Sequence, residues 1–235
     1  MRSDGLRGVV LDLDDTLTDL SAFELELWDD VAKMLAARIE GLDVDRLRER
    51  YIAALHTNYQ RVLDGEIDMA YYRRARLEEA LAPWSELDDD TFAAYWKIKH
   101  RIVDQVPAKP GAHDALRALR DAGLRLAVLT NGPSDMQREK LDRLGFRELV
   151  DEVAISAEIG AAKPDAAAYA AVVEMLAVEP PELVMVGDNW TWEVDGALDA
   201  GFAAAYYVGA ADPPREREGA HRLGSVAELP AALGL

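Results

Sequence analysis

Residues 8–16 read GVVLDLDDT, an aliphatic run that ends in three carboxylates, Asp12, Asp14 and Asp15, and a threonine. A short continuous apolar run, without the alternation of a half-exposed strand, predicts a strand over 8–13 buried on both faces of a parallel sheet. Its acids then stand at the carboxyl end of a strand, where open parallel sheets bind ligands. The same signal recurs at 124–129, at 183–186 and at 203–208, and more weakly at 153–155. Helical patterns lie between: one closed by Ala122-Gly123, one running through Leu141 and Leu144 to Gly145, and one over 165–176. This alternation predicts an α/β fold, a doubly wound, Rossmann-like parallel sheet with helices on both faces.

One long stretch breaks the rhythm. From Leu20 to Asp104 only helical spacing is found: Phe23, Leu27, Val31, Leu35 and Ile39, then Val44, Leu47, Tyr51, Leu55, Tyr59 and Val62. Met69, Tyr72, Leu77 and Leu81 predict a third helix, and Phe92, Tyr95, Trp96 and Ile102 a fourth. The expected organisation is a core of 1–19 with 105–235 and a helical domain of 20–104. Residues 212–218, DPPRERE, read as an exposed loop.

At 235 residues the chain can hold one good core and a smaller second domain. Half of it is apolar and 30% charged, as in soluble globular proteins. No apolar run nears the roughly eighteen residues a membrane span needs. The opening MRSDGLRG is too polar for an export signal, so the cytoplasm is the default expectation, with no membrane partner. There are no cysteines, which removes disulfides, thiol nucleophiles and thiolate metal sites together. His56, His100, His113 and His221 are scattered, so any metal is expected to be a hard cation on oxygen ligands. A net charge of -18 argues against a nucleic-acid partner, whose phosphates are bound by Lys and Arg.

Polar residues that follow the apolar runs fall into clusters: 12–16, Thr130-Asn131-Gly132, Lys163-Pro164 and Gly187-Asp188-Asn189. Converged at one sheet edge, Asp12 and Asp188 would repel each other unless a cation such as Mg²⁺ lay between them. With no thiol and no serine beside a base, Asp12 is the best available nucleophile. Asp14, two positions on in an extended chain, points to the same side and could protonate the leaving oxygen. The Thr130 hydroxyl, the Asn131 backbone N–H and the Lys163 ammonium suit the oxygens of a phosphoryl group.

With these motifs in order, the chain resembles the haloacid dehalogenase superfamily of phosphohydrolases. Its motifs are matched by DLDDT from Asp12, LTNG at Thr130, Lys163-Pro164 and GDNWTWEVDGALDAG from Gly187. The resemblance implies Asp12 as nucleophile and metal ligand, Asp14 as acid and base and as a ligand through its backbone carbonyl, and Asp188 as a ligand. Thr130 and Lys163 would bind the phosphoryl group, and 20–104 would be a cap that favours a small phosphorylated metabolite. Glu193 stands where the family commonly has Asp, and would reach the metal through water or hold Lys163. Asp195 is left as an outward helix residue.

Weaker signals carry bland readings too. Trp190 and Trp192 could line an entrance, but core packing accounts for at least one of them. Arg73, Arg74, Arg76, Lys97, Lys99, His100 and Arg101 could meet a second anionic group, though solvated helix faces explain them better. His113 reads as structural. A haloacid dehalogenase shares the nucleophile but expels halide, which needs no proton, and so has no use for Asp14. A phosphomutase shares the intermediate. A binding module that had lost activity would be marked by loss of Asp12, Asp14 or Lys163, and all are present.

Overall fold

The computed structural model describes residues 5–235. Residues 1–4 of the polar opening lie outside the described residues, as do the side chains of 55–57, which include Leu55 and His56. The chain divides into two compact units: the described residues through Ser21 with Val106–Leu235, and Ala22–Gln105.

Five helices account for the second unit and its entry: α1 (Leu20–Ala36), α2 (Val44–Leu63), α3 (Met69–Leu81), α4 (Asp89–Lys99) and α5 (Arg101–Gln105). Aspartates set three of the starts. Asp43, Asp68 and Asp88 accept the N–H groups of Arg46 (3.0 Å), Tyr71 (2.7 Å) and Thr91 (2.6 Å), each cap contributing about 1 kcal/mol. Val31, Leu35, Leu47, Tyr51, Leu77, Leu81 and Tyr95 form the core at the spacing read from the sequence, joined by Trp28, which that reading did not include. Two expectations need adjustment. Ile39 lies beyond α1, where a tight last turn and left-handed Gly41 end the helix. The fourth helix is two, because the Val103 N–H bonds back to the His100 carbonyl (3.0 Å) in a tighter turn that interrupts the spiral. Several of the basic residues are engaged within this unit: Arg74 with Asp89 (2.8 Å), Lys99 with Glu24 (2.8 Å), Arg101 with Asp30 (2.6 Å), and Arg76 over the Tyr51 ring (3.6 Å).

Six parallel strands build the first unit: β1 (Gly8–Leu11), β2 (Arg125–Thr130), β3 (Glu152–Ile155), β4 (Leu183–Gly187), β5 (Ala204–Tyr207) and β6 (Ala220–Arg222). Their order is β3-β2-β1-β4-β5-β6, so the chain starts at the centre, builds one side, then crosses to build the other. The switch point lies between β1 and β4, where Leu11 pairs with Val186. Such a point opens a crevice at the strands' carboxyl ends. The helices are α6 (Ala112–Asp121), α7 (Ser134–Arg143), α8 (Ser156–Ile159), α9 (Ala166–Leu176), α10 (Gly196–Asp199) and α11 (Leu229–Ala232), with a π-helical turn at Trp190–Asp195. Val9 and Leu11 pack on one face with Leu116, Leu141 and Leu229, while Val10 packs on the other with Tyr169, Val172 and Ala197. Burial on both faces is why the strand reads as an unbroken apolar run.

Where the strand stops decides the site. β1 ends two residues before the expected 13: Asp12 still donates its N–H to Val186 (2.9 Å), then the Leu13 carbonyl accepts from Leu17 and Thr18 (both 2.9 Å) and the chain folds over. Asp15 takes a left-handed conformation in that turn (φ 62°), one that aspartate tolerates. β6 is not foreshadowed in the sequence, because a largely exposed three-residue edge strand, Ala-His-Arg, has no apolar run. Among the described residues no helix is long and apolar enough to cross a membrane.

Candidate active site

Two aspartates from one turn each meet a lysine of their own. Asp12, buried at the end of β1, accepts from the Lys163 ammonium at 2.5 Å. Lys163 comes from the loop before α9 and also donates to Glu193 Oε1 at 2.7 Å. The other Glu193 oxygen accepts the Asn189 N–H (2.7 Å), so this side chain ties the lysine to the loop after β4. Asp188 begins that loop and is half-buried. Burial pushes Asp12 up to about 8, opposed by Lys163 and reinforced by Glu193 and Asp14. Burial likewise pushes Asp188 up to about 7, with Glu193 and Asp15 adding to it. For Lys163, burial disfavours the ammonium but is outweighed by Asp12 and Glu193, which hold it above the usual lysine range. With all three ionised, the carboxylates around one ammonium would leave excess negative charge, and the raised values of Asp12 and Asp188 express that cost.

Glycine at 187 makes room for this arrangement. A Cβ there would lie 1.9 Å from Glu193 Cγ, so any side chain displaces the glutamate. We expect Gly187→Ala to lower stability by about 1–3 kcal/mol through this overpacking. Thermal unfolding measures it, and an unchanged melting temperature would refute the contact.

The second aspartate has different surroundings. Lys140 of α7 donates to both Asp14 oxygens, at 2.5 and 2.7 Å. Gln137 Nε2, one turn earlier, lies 3.0 Å from Asp14 Oδ2, 2.6 Å from Thr130 Oγ1 and 3.4 Å from the Asn131 carbonyl. Thr18 donates to Asp14 Oδ1 at 3.2 Å. Thr130, the last residue of β2, is thereby joined to the Asp14 carboxylate through one amide. The Asn131 side chain pairs with the backbone of Lys163 in both directions, donating to its carbonyl and accepting its N–H, each at 2.9 Å. Gly132 follows with φ 151° and accommodates the close approach of Gln137.

Of the residues singled out in the sequence, Asp12, Lys163 and Glu193 stand in one hydrogen-bonded cluster, and Asp14 and Thr130 in a second. Asn131 links its loop to the first. Lys140 and Gln137 were missed, although the signal was there: both sit on the buried face of α7 with Leu141, where apolar side chains belong. Asp195 corrects an expectation. It is buried, not outward, and pairs with Arg215 and with Arg217 (2.7 Å), because the wider π-helical turn carries it inward. The 212–218 loop therefore does more than cover surface. Trp190 is buried against Tyr207, with ring centroids 5.6 Å apart, while Trp192 is half-buried. His113 bonds to the Leu144 carbonyl (2.7 Å) and lies against Phe146.

Among the described residues no three His, Asp or Glu side chains form a ready-made metal cage. A hard cation that keeps several waters needs only one or two carboxylates, and the buried Asp12 with the half-buried Asp188 has that chemistry.

Comparison with known proteins agrees with the fold. Residues 6–201 match the family model described as haloacid dehalogenase-like hydrolase. A phosphoserine phosphatase from Thermus thermophilus is 42% identical over 135 residues, 57% of this chain and 52% of that enzyme. An (S)-2-haloacid dehalogenase from Pseudomonas sp. is 33% identical over 142 residues, 58% of this chain and 62% of that enzyme. The chain thus spans between half and two thirds of the length of these two relatives. The crystal structure of a phosphatase from Thermococcus onnurineus is similar over 97% of this chain and 98% of that one, with TM-score 0.73 and 25% identity. With its motifs, its sheet order and a match over most of its length, the chain belongs to the haloacid dehalogenase-like hydrolase family.

Proposed function

We propose that this protein hydrolyses the phosphate monoester of a small metabolite through an aspartyl-phosphate on Asp12, with Asp14 as general acid and then base. The observation that carries the reading is the pair of aspartates two residues apart, each held by a separate buried lysine. Separate partners suit separate tasks, one carboxylate as nucleophile and the other for proton transfer. The named phosphatases among the similar proteins support it. The helical unit would serve as a cap, which suits small substrates.

In the first half-reaction an Asp12 oxygen attacks phosphorus, the ester P–O bond breaks, and the leaving oxygen takes the proton of the Asp14 carboxyl. In the second, water attacks phosphorus, gives its proton to the Asp14 carboxylate, and the Asp12–phosphorus bond breaks to release phosphate. Lys163 and the Thr130 hydroxyl would hold the phosphoryl oxygens, with the Asn131 N–H beside them. Asp12, the Asp14 backbone carbonyl and Asp188 would hold Mg²⁺, with Glu193 acting through Lys163 or a water. When bound, the cation supplies neutralisation of the phosphoryl charge and lets two acids and an anion share the crevice.

The dehalogenase reading has a relative in its favour, but an acid held by its own lysine beside the nucleophile has no task in halide release. Phosphate release from a panel of small phosphoesters, with Mg²⁺ and with chelator, tests the proposal. Metal-dependent release supports it, whereas halide release or isomerised phosphoester without free phosphate would sink it.

The upward shifts of Asp12 and Asp188 fix a pH dependence. Acids whose folded values exceed the unfolded 3.8 stabilise the metal-free protein at low pH and lose that contribution as pH rises through about 7 to 8. Mg²⁺ needs both ionised, so below those values protons compete with it by roughly tenfold per pH unit per ligand. The rise in melting temperature given by Mg²⁺ over chelator should therefore grow between about pH 6 and pH 8.5. A gain that is flat across this interval would remove these two acids from the metal site.

A further inference from the structure

We propose that Lys140 and Gln137 are positioning residues for proton transfer: they aim the Asp14 carboxylate and couple it to the phosphoryl-binding Thr130. The inference rests on the proposed phosphatase reading and deepens it.

Both side chains are buried on one face of α7. Taking an ammonium out of water costs several kcal/mol, and replacing a buried ion pair with packed apolar side chains is often neutral or stabilising. Stability therefore does not explain a lysine at this place in the helix, where leucine or methionine would fill the space. Geometry does. Lys140 reaches both Asp14 oxygens, which fixes the plane of the carboxylate as a single contact could not. Gln137 Nε2 has two hydrogens and three acceptors in reach, Asp14 Oδ2, Thr130 Oγ1 and the Asn131 carbonyl, so it spans the acid and the phosphoryl loop. Neither side chain needs to touch substrate. Proton transfer falls off steeply when donor and acceptor leave hydrogen-bond distance, so an acid free to turn about its side-chain bonds is a poor one.

The test is leaving-group dependence. p-Nitrophenolate departs as a stable anion and needs little help from an acid, whereas the alkoxide of glycerol 2-phosphate must be protonated as it leaves. Wild type, Asp14→Asn, Lys140→Met and Gln137→Leu are compared on both esters, with thermal unfolding recorded for each. For Lys140→Met, kcat on glycerol 2-phosphate should fall by about 100-fold or more, against less than about tenfold on p-nitrophenyl phosphate, with KM little changed. Gln137→Leu should show the same bias, more weakly, and decides the matter alone if Lys140→Met does not fold. Equal losses on the two esters, or no loss, would overturn the positioning role. If Asp14→Asn itself shows no bias, or wild type releases phosphate from neither ester, the general-acid reading falls and this proposal with it.

Discussion

Asp12→Asn is expected to reduce phosphate release by at least about 10⁴-fold while leaving the fold standing. The amide cannot attack phosphorus, and no thiol or free amine takes its place: the chain has no cysteine, and Lys163 keeps Glu193 as its counter-charge. The fold survives because the change removes a carboxylate whose burial is unfavourable, and Lys163 keeps Glu193 as its partner at 2.7 Å. Phosphate release and thermal unfolding of the same preparation give the two readings together. A variant that retains near-normal rates would end the covalent mechanism. One that melts far below wild type would show Asp12 to be a structural partner of Lys163 first.

Lys163→Met should have the opposite profile, damaging both activity and fold. The lysine side chain is fully enclosed, and its loss strands Asp12 and Glu193 with no counter-charge. Removing one partner from a buried ion pair costs about 3–5 kcal/mol. For a chain of this size that corresponds to a fall in melting temperature of roughly 10 °C. Turnover should drop by about 10²–10³-fold as well, since the charge proposed to hold the phosphoryl oxygens is gone. The contrast with Asp12→Asn is the sharper result: equal melting temperatures in the two variants would mean that the three-residue cluster does not carry charge as the structure implies.

Much of this could be read from the chain alone, and what escaped has identifiable causes. β1 and β4 announce themselves because both faces are buried, so no polar residue interrupts them, and in β2 only the exposed Arg125 at its start does. The residues just after them are legible for the same reason, as the first polar groups beyond an apolar run. Lys140 and Gln137 escaped because they lie inside a helix whose sequence, SDMQREKLDR, is polar on every side, and the buried stripe is betrayed only by its spacing with Leu141. Asp195 was misplaced because the resemblance aligned Glu193 and left Asp195 on an outward helix face, whereas the turn is π-helical and carries it inward. The division of labour within Thr130-Asn131-Gly132 was half visible. The hydroxyl was singled out, but the sequence says nothing of the Asn131 side chain clasping the Lys163 backbone from a point 32 residues away.

The buried Asp195 bears on where this protein can be cut. The family match ends at residue 201, yet the charges that neutralise Asp195 come from Arg215 and Arg217, beyond it, and Arg217 also reaches Asp199 at 2.6 Å. The turn that carries Glu193 is thus buttressed by a segment that lies beyond the family-model match. A chimera or truncation drawn at the homology boundary would leave an orphaned charge behind the site and slacken the turn in front of it. The transplantable module is longer than the stretch that the family model matches.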